Sequence, residues 1–155
     1  MNLSILEDLG LRTRDGDAGL EAWLDLESVL VNPLTRRPIT QVTFTVMEDR
    51  LLVIDPPELV GTPPLSLARV ERAADLEQAL ATSFNDHILH VQRRSADLQA
   101  LGLSPRVEPE TLQLSSEISA GTFKCVIATD KRGNFRVARA FRPMKTPRSS
   151  PCRTT

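Results

Sequence analysis

No stretch of this sequence is apolar for long enough to cross a bilayer. A span needs roughly twenty predominantly apolar residues, whereas the strongest run, residues 51–54, is broken off at once by Asp55. No membrane span is expected. Cysteine is nearly as scarce, with Cys125 inside an alternating apolar stretch and Cys152 close to the end of the chain. Two cysteines make no framework of the kind that small secreted domains use, so a reducing cytoplasm is the expected compartment. The first residues turn acidic at Glu7 and Asp8 with no basic segment before them, and no secretory leader is expected.

Glycine is thin and dispersed. Its seven residues form neither a Gly-x-Gly-x-x-Gly turn nor a Walker loop, which excludes the known phosphate cradles that need the backbone to approach an anion closely. There is no Gly-x-Ser-x-Gly elbow, and Cys125 alternates with Phe123 and Ile127, the setting of a core thiol rather than a nucleophile. Asp15, Gly16 and Asp17 match only a fragment of a calcium loop and read as a turn. His87 and His90 are spaced to share one helix face, with Asp86 beside them, but a zinc site takes three or four ligands and no second pair occurs. Neither a cofactor nor a metal is expected, and the sequence offers no reagent set for catalysis.

What is present is the composition of a folded protein. Of its 155 residues, 41% are apolar and 25% charged, and a chain of this length buries roughly two thirds of its unfolded surface. Residues 42–46 alternate Val42, Phe44 and Val46 with threonine, a period of two that puts the apolar side chains on one sheet face. With a polar turn at residues 47–50 and a second apolar run after it, residues 41–54 read as a hairpin. Pro56, Pro57, Pro63 and Pro64 then end ladder pairing, because proline lacks the donor.

Between residues 65 and 101, Val70, Ala73, Leu80, Phe84, Ile88, Val91 and Leu98 recur at helical spacing. Ser83, Asn85 and Asp86 favour a break in that helix, and Gly102 is placed to end it. Beyond it, three alternating runs around Leu114, Cys125 and Val137 predict an antiparallel meander, with a turn at residues 130–134 built on Asp130 and Gly133. Residues 3–11 suit a short amphipathic turn. From Asp17, a plausible helix cap, Leu20, Trp23 and Leu24 suggest a helix, yet residues 22–31 also fit a strand. The expected fold is α+β: an N-terminal helix, a hairpin, a long or broken central helix and a C-terminal three-stranded meander. Residues 1–142 are read as one domain and 143–155 as a flexible basic tail rich in Pro, Ser and Thr.

The charge of −1 hides an asymmetry. Residues 1–130 hold 11 basic against 20 acidic side chains, and no acidic residue follows Asp130. Lys124, Lys131, Arg132, Arg136, Arg139, Arg142, Lys145 and Arg148 form the candidate surface for a polyanion or a partner. Phe123, Phe135 and Phe141 lie among them, and sheet-based single-strand binders combine such cations with aromatics. The run from Lys131 to Phe135 resembles the basic-glycine-aromatic signature of RNA-recognition domains, but Arg136 and Ala138 depart from its continuation. The simpler arrangement has the phenylalanines in the core and the arginines solvated or paired with the acidic body. The expected function is non-catalytic protein binding, as an adaptor, chaperone-like or regulatory subunit, with a protein partner or self-association. Nucleic-acid or other polyanion binding is the alternative.

Overall fold

A computed structural model describes residues 3–17 and 19–141, with the backbone but not the side chain of Phe141. Its elements follow one another as α1 (Leu3–Asp8), β1 (Arg12–Gly16), β2 (Gly19–Val31), β3 (Pro38–Met47), β4 (Arg50–Asp55), β5 (Leu65–Ser66), α2 (Ala73–Ala100), β6 (Arg106–Val107), β7 (Leu114–Ala120), β8 (Phe123–Thr129) and β9 (Phe135–Phe141). Strands β1 to β5 form one antiparallel sheet in sequence order, and β6 to β9 form a second. The α+β class, the hairpin, the central helix and the meander are as the sequence predicts. No helix among the described residues is long and apolar enough to cross a membrane.

The region left open in the sequence is a strand. Asp17 caps no helix; it lies in the turn that joins β1 to β2, where Gly16 pairs with Gly19. Along β2, Ala22 and Leu24 point into the core, but the pairing with β3 shifts between Asp25 and Leu30. That bulge breaks the period of two, which is why the same residues also suit a helix. Strand β1 has no apolar residue. It is laddered to β2 over all five residues, and beside that ladder Arg12 pairs with Asp25, Arg14 with Glu21, and both guanidiniums lie over Trp23.

The core lies between the first sheet and the N-terminal half of α2. Ala22, Leu24, Ile39, Val42, Phe44, Leu51 and Val53 face Leu76, Leu80 and Phe84, which recur every fourth residue. Burying each leucine or phenylalanine contributes about 1.5–3 kcal/mol, enough to hold α2 unbroken through Ser83, Asn85 and Asp86. Its 28 residues span about 42 Å. At its start Asp75 accepts hydrogen bonds from the Glu71 and Arg72 amides, which hold its carboxyl below the usual range. At its end Gly102 takes φ +82, with Gly102 N donating to Gln99 O and Leu103 N to Leu98 O. This is the Schellman closure expected of a glycine there.

Beyond Phe84 the helix leaves the first sheet and runs on over the second, where α2 packs on β7 and Arg94 Nε donates to Gly133 O. Leu112 lies just before β7. It sits in a turn with φ +58 and joins the main core. Phe84→Ala is expected to lower the unfolding free energy by about 3–5 kcal/mol in urea titration. Leu101→Ala, at a position 75% exposed, is expected to change it by less than about 0.5 kcal/mol.

Candidate binding face of the C-terminal sheet

Register decides which side chains of the second sheet share a face, because directly paired residues project to the same side. Ser119 pairs with Lys124, Glu117 with Val126 and Arg139, and Ser115 with Ala128 and Arg136. One face therefore carries Lys124, Arg136 and Arg139, all exposed. The opposite face carries Ile118, Cys125 and Ala140, then Ser116, Ile127 and Val137, then Thr129 and Phe135. Cys125 is buried there, as its alternation predicts. The pairing of β8 with β9 shifts between Val126 and Ile127, which leaves Ala138 as an extra residue. This bulge places Arg136 and Arg139, three apart in sequence, on the same face.

The basic candidates thus divide. Lys124, Arg136 and Arg139 stand together, and Arg132 is exposed in the turn before β9. Arg142, Lys145 and Arg148 lie outside the described residues, as does the whole of the predicted tail. Lys131 belongs elsewhere. Its ammonium turns inward and donates to Glu58 O at 3.0 Å and Thr111 O at 2.9 Å. Burial pushes its pKa down to about 8, partly offset by the Glu58 carboxylate. A cation committed to two carbonyls is no part of an outward basic surface.

Nor do Phe123 and Phe135, the two of these aromatics whose side chains are described, form a stacking platform. Phe123 opens β8, while Phe135 pairs with Thr129 at the other end of that strand, roughly 20 Å away at 3.3 Å per residue. Arg94 also lies over the Phe135 ring, 5.7 Å from its centroid.

The turn into β9 is held by Asp130, whose Oδ1 accepts the Arg132 and Asn134 amides, each at 2.9 Å. Burial opposes ionisation of this carboxyl, but those amides and then the Arg132 and Arg136 charges outweigh it and keep its pKa below the ordinary value. Gly133 packs so closely on the His90 ring that a Cβ would come within 2.7 Å of Nδ1, and its φ is +86. Only glycine suits that position.

Behind Lys131 lies a polar node that the sequence reading missed. Glu58 is fully buried; it accepts from Asn32 Nδ2 at 2.8 Å and from Arg37 Nη2 at 2.6 Å. Asn32 is buried too and also donates to Pro109 O. Beside the node His87 Nε2 donates to Leu112 O at 2.8 Å, and Nδ1 has no partner among the described residues. His87 is thus a buried structural residue of the core. His90 is only half-buried, and no group of three His, Cys, Asp or Glu that could hold a metal ion occurs among the described residues. Ser83, Asp86, His90 and Arg132 line an open cleft of about 240 Å³ above Lys131.

Comparison with protein-family models, with curated proteins and with solved structures gives no match for this chain.

Burial, then the nearby Lys131 charge, lowers the His87 pKa from 6.5 to about 4. The unfolded chain therefore binds a proton that the folded chain refuses between those two values. Stability is fully present above pH 6.5, falls as the pH drops through this window and levels off near pH 4. The loss should be on the order of 3 kcal/mol. Urea titrations from pH 7 to pH 4.5 should show most of it, and His87→Gln, which keeps an N–H for Leu112 O, should flatten the slope.

Proposed function

We propose that this protein is a non-catalytic binding module for another protein, an adaptor, chaperone-like or regulatory subunit, acting in the cytoplasm. In this reading residues 1–142 are one unit and residues 143–155 a basic extension of it. The observation that carries it is β9. Among the described residues this seven-residue strand has a neighbour on one side only, and it exposes Phe135 and Val137, the latter by 62%. An open edge lined by apolar side chains is a site at which other chains add a strand.

Polyanion binding is the second reading, favoured by Lys124, Arg136 and Arg139 on one exposed face with Arg132 beside them. Against it stand the separation of Phe123 from Phe135 and the guanidinium already lying over Phe135.

The two are separated by affinity capture with the full chain from nuclease-treated lysate, alongside binding of a labelled oligothymidylate. The adaptor reading expects a stoichiometric protein that survives nuclease and a weak oligonucleotide complex. Four phosphate contacts would instead weaken a real oligonucleotide complex roughly 50-fold between 50 and 200 mM salt. That result, with no protein captured, would overturn the reading.

A further inference from the structure

The geometry points to the β9 edge as a docking site for an extended acidic segment of a partner protein, one that alternates carboxylate with apolar side chains. This inference rests on the protein-binding reading above and names its surface and ligand chemistry.

The two faces of β9 differ in kind. Arg136 and Arg139 project to one side, next to Lys124 on β8. Phe135 and Val137 project to the other, where α2 brings Arg94 over the phenyl ring. Side chains of a strand laid beside β9 alternate between these faces. Every second residue would meet the basic row and the residues between them would meet Phe135 and Val137. Acidic side chains suit the first set and aliphatic ones the second.

The same charges argue against a second copy as the occupant. Two β9 strands paired antiparallel form one continuous sheet, in which both copies of Arg136 and Arg139 fall on a single face. Like charges at cross-strand spacing are destabilising. A bulge on an edge strand already discourages indiscriminate pairing. Here the extra residue Ala138 also carries Arg139 onto the basic face, so the edge refuses a like-charged strand and selects one of opposite sign. A nucleic acid would use the basic row but leave Phe135 and Val137 unmatched, with the Phe135 ring already under Arg94.

The test uses the full chain and two fluorescent octapeptides, one alternating Glu with Val and one alternating Lys with Val. The Glu peptide is expected to bind at least tenfold more tightly and to slow amide exchange within residues 135–141. Lys124→Glu combined with Arg136→Glu is expected to reverse the preference, and Lys124→Gln with Arg136→Gln to abolish it. Far-UV spectra of each variant report whether the fold is kept. Equal affinity for the two peptides, protection confined to other segments, self-association at micromolar concentration, or protection of β9 by oligothymidylate in place of the peptide would each overturn the assignment. Should the peptide fail while affinity capture still yields a stoichiometric protein, the docking site falls and the adaptor reading stands. A capture that yields no protein while the peptide protects β9 has the opposite meaning.

Discussion

A half-buried lysine and a buried glutamate, 73 residues apart in the chain, join the two sheets of this protein. Taking either charge out of water costs several kcal/mol unless its hydrogen bonds are replaced. Here both find replacements, and Lys131 reaches across to the first sheet's side for one of its own. Glu58, in the loop after β4, is answered by Asn32 and Arg37 from the β2–β3 connection. Lys131, in the β8–β9 turn, is answered by the carbonyls of Glu58 and Thr111. Asn32 completes the set by donating to Pro109 O. Hydrogen bonds are directional where apolar contact is not, and Lys131 to Glu58 O and Asn32 to Pro109 O tie the second sheet to the first. Lys131 stands in the turn that leads into β9, so this tie lies next to the candidate binding face.

Much of this fold is written in local periodicity. Val42, Phe44 and Val46 lie on the predicted strand, Leu80, Phe84 and Leu98 on the predicted helix, and Cys125 is buried on the predicted meander. Where a bulge interrupts the period the signal fails, as at Asp25 to Leu30 in β2 and at Ala138 in β9. The first bulge hides a strand among helix-compatible spacings. The second conceals that Arg136 and Arg139 share a face. Strand β1 carried no apolar signal at all; it is laddered to β2 along its length, with Arg12 and Arg14 lying over Trp23.

The node was illegible for a different reason. Glu58 sits between prolines in what composition marks as a connector, and its partners lie 26, 21 and 73 residues away. Lys131 stands in a run of basic residues that reads as one surface, and nothing local separates it from Arg132. Only the tertiary structure shows one of these neighbours turned inward to two carbonyls and the other exposed. What remains outward is a smaller and better-ordered set, in which the cations share a face and the apolar side chains take the other. A surface of that kind has direction, and direction is what a strand-shaped partner can recognise.

The most direct test of the central claim is the native-state reactivity of the Cys125 thiol, which lies buried in β8, measured in Lys131→Met with Cys152 replaced by serine in both proteins. If Lys131 fastens the second sheet to the first, its loss should speed Cys125 labelling at least tenfold while Trp23 fluorescence, reporting the first sheet, stays native. Labelling as slow as in the parent would contradict the account.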